Sequence, residues 1–227
     1  MKTIGMIGGM SWESSLEYYR LINEGVKQRL GGLHSAKSVL VSVDFAEIEA
    51  LQSAGDWDTA TQHMVAAARQ VERAGADFLI ICTNTMHKMA DAVQQSIQIP
   101  LLHIADATAA RVKAQGLETV GLLGTRFTME QDFYRGRLEQ HGLRVVTPPP
   151  AGRDVIHQVI YSELVLGQVN PASRTAYLQI MGALPAVQGV ILGCTEIGLL
   201  VKQEDTPVPL FDTTLIHAEA AVEYAVG

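Results

Sequence analysis

Two strand-and-turn pairs occur in this chain in the same order, about half a chain apart, and that repetition limits its fold more than any other feature. Thr3-Ile4-Gly5-Met6-Ile7-Gly8 is echoed by Thr119-Val120-Gly121-Leu122-Leu123-Gly124, 116 positions later. Phe78-Leu79-Ile80-Ile81-Cys82 is echoed by Val190-Ile191-Leu192-Gly193-Cys194, 112 positions later. Each is an apolar run of strand length ended by glycine or small polar residues, the pattern of a parallel strand covered on both faces. Between them lie helix-like segments: one from about Ser11, with Ser11 as N-cap, and a longer one from Trp57 to Ala74. Ser38 to Val43 reads as a further strand ending at Asp44. Strands alternating with helices predict βαβ units. The expected fold class is therefore α/β, as two similar parallel-sheet domains whose equivalent strand ends could face each other across a cleft. The expected boundaries are 1–95 plus 212–227 for the first domain and 96–211 for the second. Pro207-Val208-Pro209-Leu210-Phe211-Asp212 reads as a short or edge strand, because prolines remove ladder donors.

The totals exclude several function classes. The 227 residues carry a formal net charge of −7 with no Lys/Arg-rich run, which argues against a nucleic-acid partner. No apolar run is long enough to cross a bilayer, so no membrane partner is expected. Two cysteines make neither a disulfide framework nor a metal cluster, and they suggest a reducing compartment. The first residues enter a strand at once, without a signal-length apolar segment. The expectation is a cytoplasmic protein, a homodimer, acting on a small molecule with no metal.

Chemistry is concentrated at the strand ends. Ligands of α/β sheets bind at the carboxyl ends of strands. Cys194, at the end of Val190 to Gly193 and before a helix start, is placed to be a reactive thiol rather than a core filler. Gly5-Met6-Ile7-Gly8-Gly9-Met10 lacks the spacing of a dinucleotide fingerprint, and no phosphate loop of the Gly-Lys-Ser/Thr kind occurs. What remains at Gly8-Gly9-Met10-Ser11 is a turn that lets a small anion approach the backbone. Cys82-Thr83-Asn84-Thr85-Met86-His87-Lys88 places more polar groups at a strand end than a turn needs, although Asn and Thr are common turn residues. His87 there is either structural or part of the site. Thr125 and Thr128 in Gly124-Thr125-Arg126-Phe127-Thr128-Met129 are either ligand groups or helix caps. Phe211-Asp212-Thr213-Thr214 with His217 is a further polar strand end.

Taken together, Gly8 to Ser14, Cys82 to Lys88, Gly124 to Met129, Gly193 to Ile197 and Phe211 to Thr214 resemble the aspartate/glutamate racemase family over essentially the whole chain. Within it the resemblance is to enterobacterial amino-acid racemases of the aspartate/glutamate type. The family implies an α/β fold of two similar doubly wound parallel-sheet domains with the active site in the cleft between them, no cofactor, and two facing cysteines, one per domain, that remove and return the proton at Cα. An unperturbed thiol, with a pKa of about 8.5, can serve as either base or acid after modest tuning. This chain departs from the usual Cys-Asn-Thr motif. If Asn84-Thr85 anchors the alignment, Thr83 takes the cysteine's place. If the internal echo of Cys82-Thr83 in Cys194-Thr195 does, Cys82 takes it. Alternation along a strand allows only one of the two to reach the cleft, and the motif favours Thr83. The resemblance thus implies Cys194 and Thr83 as acid/base groups. It implies Met10, Ser11, Asn84, Thr85, Thr125, Thr128, Thr195 and Glu196 as groups that hold the carboxylate and amino group. Glu196 could instead orient Cys194 or only cap its helix. No Lys or Arg lies in Tyr161 to Gly167, so side-chain specificity could be broader than aspartate. A decarboxylase or isomerase of dicarboxylates on the same fold, or an amino-acid-binding protein without turnover, is the alternative.

Overall fold

The computed structural model describes all 227 residues as two compact units. The first comprises Met1–Ile104 and His217–Gly227, the second Ala105–Ile216. The chain leaves the first unit later than the expected residue 95 because the segment after Pro100 still pairs with β3. Leu79 N–H donates to the Pro100 carbonyl and Leu102 N–H to the Leu79 carbonyl, both at 2.9 Å. That bridge keeps the segment with the first sheet. No helix is long and apolar enough to cross a membrane.

In the first unit, β1 (Ile4–Gly8) lies between β2 (Ser38–Ser42) and β3 (Phe78–Ile81), all parallel. In the second, β4 (Thr119–Gly124) lies between β5 (Arg144–Val146) and β6 (Gly189–Gly193), and β7 (Leu210–Asp212) adds an edge beside β6. The two sheets are separate. The proline-flanked strand is the short edge strand that its sequence predicts. The sequence pattern does not announce β5, nor the parallel bridge of Leu79 with Leu101, which occupies in the first sheet the place of β7 in the second.

Alternation along β3 sorts its side chains between two cores. Phe78, Ile80 and Cys82 join Tyr18, Ile22 and Val26 of the helix Trp12–Leu30 and Ala218, Ala221, Val222 and Ala225 of the helix Thr213–Val226. Leu79 and Ile81 join Ala60, Met64, Ala67, Ala68 and Val71 of the helix Trp57–Arg73. The spacing of three and four residues on each helix builds one apolar stripe. Each large side chain so buried contributes roughly 1.5–3 kcal/mol. Gly25 lets the helices Trp12–Leu30 and Thr213–Val226 approach, since a Cβ there would lie 3.0 Å from a Val222 methyl. Ser11 caps its helix as the sequence predicts, and Asp44 and Asp56, not singled out as caps by the sequence, likewise each accept a first-turn N–H.

His217 begins the chain's return to the first unit and is fully buried. Its Nε2 lies 2.8 Å from the Leu102 carbonyl and its Nδ1 2.9 Å from the Tyr18 hydroxyl. A carbonyl only accepts, so Nε2 carries the proton and Nδ1 accepts from Tyr18. Burial pushes this imidazole down to about 4, against a smaller upward pull from the Leu102 bond. In the unfolded chain it titrates near 6.5. Between those values the unfolded state binds more protons. Stability is therefore complete above about pH 6.5 and falls as pH drops towards 4, on the order of 3 kcal/mol at the lower end. Urea unfolding at pH 7 and about pH 4.5 is expected to show that loss. His217→Asn, though less stable at pH 7, should lose less over the same interval, and equal losses in both proteins would remove His217 as the source.

Candidate active site

β6 delivers Cys194 at the first position after its ladder, where Val190, Leu192 and Cys194 share one face. Cys194 is 9% exposed, and its cluster includes Met129, Ile160, Leu164 and Tyr177. The Sγ–H donates to Glu196 Oε2 at 3.0 Å, and Thr195 Oγ1 donates to the same oxygen at 2.7 Å. Glu196 stands at the N-cap position of the short helix Ile197–Leu200 but makes no side-chain cap bond. Its carboxylate is spent on the thiol and the hydroxyl, which decides against a capping role. Burial pushes the Cys194 thiol well up, and the Glu196 carboxylate adds to that by charge and by hydrogen bond. The resting group is a thiol with an acceptor already in contact with its proton.

Next to this strand end, β4 closes with Gly124, paired to Gly193. A Cβ on Gly124 would lie 2.7 Å from the Gly193 carbonyl, so the two backbones approach as only glycine allows. Thr125 comes next and accepts from Thr128 N–H, capping the helix Arg126–Glu130, while the two hydroxyl oxygens lie 3.2 Å apart. Thr125 therefore does cap its helix, and both hydroxyls are buried at the end of the strand beside β6. At the edge, Thr213 Oγ1 donates to the Leu192 carbonyl and Asp212 Oδ1 accepts from Thr214 N–H, so this fourth polar strand end serves local structure.

In the first unit, the β3 end and the turn after β1 are stitched together. Ser14 Oγ donates to the Cys82 carbonyl at 2.9 Å, Gly9 N–H donates to Ser15 Oγ at 2.7 Å, and Ser15 Oγ donates to the Ser11 carbonyl at 3.0 Å. Gly9 has φ +92°, and a Cβ there would collide with the Val43 carbonyl. Met10, Ser11, Asn84 and Thr85 are all buried within this assembly, and Thr83 is half-buried. Ser14 closes the Gly8 to Ser14 motif without a role read for it, and Ser15 lies outside it; their spacing from Ser11 on one helix face is the signal that could have found them. Cys82 is fully buried in the cluster with Tyr18 and Ile80, and burial pushes its thiol far up.

The ladders settle the correspondence between the two strand ends. Gly5 pairs with Leu79, and its counterpart Gly121 pairs with Val190. Independently, Leu79 N–H donates to the Pro100 carbonyl as Val190 N–H does to the Pro209 carbonyl. Leu79 and Val190 are thus equivalent, an offset of 111 rather than the 112 suggested by the sequence echo. Counting forward, Thr83 corresponds to Cys194, Cys82 to Gly193, Asn84 to Thr195 and Thr85 to Glu196.

Residues 7–221 match the family model described as Asp/Glu/Hydantoin racemase. The chain belongs to this family. Among solved structures, a candidate Asp/Glu racemase from Yersinia pestis is 56% identical, with each chain covered in full and a TM-score of 0.92. An aspartate racemase homologue from Pyrococcus horikoshii OT3 is 33% identical, again with full coverage of both chains, at a TM-score of 0.87. The broad specificity amino-acid racemase RacX of Bacillus subtilis is 22% identical over 176 residues, 74% of this chain and 73% of that one.

The contact between Cys194 and Glu196 has a measurable sign. Glu196→Gln removes the negative charge that raises the thiol, so the pH midpoint for alkylation of Cys194 should fall. The measurement is cleanest in a Cys82→Ala background, which leaves one thiol. A midpoint that rises in Glu196→Gln would contradict the geometry.

Proposed function

We propose that this protein is an amino-acid racemase that needs no cofactor. On this reading it takes the α-proton of aspartate, glutamate or a related small amino acid from one face and returns one to the other. The observation that carries the reading is the Cys194 thiol held 3.0 Å from Glu196 Oε2 at the end of β6. It is supported by family membership and by the broad and acidic specificities named for its relatives.

Cys194 serves one face of the α-carbon and Thr83 the other. Glu196 Oε2 accepts the thiol proton when the substrate arrives; the thiolate then takes the proton from carbon, Thr83 gives its own to the other face, and the proton on Glu196 leaves through water, which returns one to the Thr83 alkoxide. A carbanion formed without an electron sink draws its stability from hydrogen bonds to the adjoining carboxylate. Thr195, Thr125, Thr128, Asn84, Thr85 and the Met10-Ser11 turn are the donors assigned to that carboxylate and to the amino group. Support for Thr83 over Cys82 comes from the ladder correspondence and from the burial of Cys82 in the core of its own unit.

A screen of L- and D-amino acids for deuterium incorporation at Cα tests the reaction. Cys194→Ala is expected to abolish exchange while leaving the fold intact, and near wild-type exchange in that variant would remove Cys194 from the mechanism. Cys82→Ala should cost about 1 kcal/mol or somewhat more in packing and leave exchange largely intact. Thr83→Cys should raise the turnover of the enantiomer deprotonated on the Thr83 side. Loss of exchange in Cys82→Ala, with none in a Thr83→Val variant, would reverse the assignment.

A further inference from the structure

His87 lies in the 3-10 turn Thr85–Met89 and is 2% exposed. Its two ring nitrogens have partners of opposite kind. Nδ1 is 2.7 Å from the Thr83 carbonyl oxygen, and Nε2 is 3.3 Å from the Ile104 amide nitrogen. A carbonyl only accepts and an amide N–H only donates, so Nδ1 carries the proton and Nε2 offers a lone pair. The ring is neutral, with its tautomer fixed by two main-chain groups. Ile104 opens the helix Ile104–Ala114, whose first N–H has no partner within the helix, and His87 supplies one. His103 and His217 pack beside it, at ring-centroid distances of 4.5 and 5.8 Å. His217 in turn holds the Leu102 carbonyl.

Thr83 is where the β3 ladder has run out. Cys82 N–H still donates to the Ile7 carbonyl, and the Cys82 carbonyl is held by Ser14. The Thr83 carbonyl is the next main-chain acceptor, and His87 holds it. We propose that His87 is a positioning residue for Thr83: it ties the Thr83 carbonyl to the helix start at Ile104, and so holds the Thr83 hydroxyl in one orientation. The coupling is steric, because a β-branched side chain has few χ1 choices once its backbone is fixed. The inference rests on the racemase reading above and adds the group that orients its second acid/base.

Two variants separate the two bonds. The amide nitrogen of His87→Asn can take the place of Nδ1 and keep the Thr83 bond. The amide oxygen of His87→Gln can take the place of Nε2 and keep the Ile104 bond alone. The readout is the ratio of deuterium exchange with retention to inversion, starting from the enantiomer deprotonated by Cys194. Inversion needs a correctly aimed Thr83, whereas retention does not. Since sub-ångström aim governs such steps, His87→Gln is expected to raise that ratio about fivefold or more, and His87→Asn to stay within about twofold of wild type. If both variants slow retention and inversion in the same proportion, His87 is only structural and the proposal is overturned. Nitrogen-15 spectra of the imidazoles give an activity-free check: His87 should show a protonated Nδ1 and a bare Nε2, and the opposite tautomer overturns the bridge. Exchange that depends on Cys194 but ignores His87→Gln sinks this proposal alone. No exchange with any amino acid sinks the racemase reading itself.

Discussion

The parallel ladder between each central strand and its neighbour is the constraint on which the candidate site depends. In a strand, a slip of one residue sends every side chain to the opposite face. Pairing Gly5 with Leu79 therefore also decides that Cys82 enters the core with Tyr18 and Ile80. The same pairing in the second unit, Gly121 with Val190, places Cys194 in the cluster with Leu192. Both glycines are required by what surrounds them. A Cβ on Gly5 would lie 2.8 Å from the Phe78 carbonyl, and one on Gly121 would lie 2.6 Å from a Leu184 methyl. The contacts that forbid a side chain there lock the register that selects the residue at each strand end.

That dependence explains which features can be read from the sequence. The repeated plan, the parallel sheets, the edge position of Leu210–Asp212 and the cap at Ser11 all arise from local residue types, and all are present. The register between repeats does not. Phe78 to Ile81 and Val190 to Leu192 are apolar throughout because both faces of each sheet are covered, so no polar alternation marks a face. The shared Cys-Thr dipeptide then suggests an echo one residue out of step. The bridge at Leu101 is hidden for a related reason: a single paired residue beside Pro100 has no strand-like run to announce it. His87, His103 and His217 are far apart in the chain, and only the folded first unit shows them packed ring against ring.

Electrostatics distinguishes the two strand ends. Cys194 sits in an apolar cluster beside a carboxylate, and both features favour the protonated thiol. Glu196 nonetheless accepts from both Cys194 and Thr195, so its position is fixed before any ligand arrives. The Thr83 end is held by main-chain contacts: Ser14 on the Cys82 carbonyl and His87 on the Thr83 carbonyl. One end is organised around a carboxylate, and the other around two main-chain carbonyls.

Thermodynamics limits how a difference between Cys194 and Thr83 can show in the proposed reaction. Enantiomers have equal free energy in water, so kcat/KM must be the same in both directions. The enantiomer with the higher kcat must then carry a proportionately higher KM, which is a difference in ground-state binding and not in transition-state stabilisation. The asymmetry has its origin in the protonation of the free protein. In the proposed reaction, deprotonation on one side would need a Cys194 thiolate together with a protonated Thr83, and on the other a Thr83 alkoxide together with a protonated Cys194. An alcohol gives up its proton far less readily than a thiol, and each pKa unit of that difference costs about 1.4 kcal/mol. The second form is therefore negligible in the absence of substrate. A turnover that begins at Cys194 ends with an extra proton on sulfur and one missing from oxygen. Water restores the alkoxide downhill, but the thiol must shed its proton against the pull of its buried setting. Glu196 Oε2, 3.0 Å from the sulfur, is the acceptor in place for that reset. In the proposed reaction, the carboxylate that makes the resting thiol a weaker acid is thus also the route by which its proton would leave.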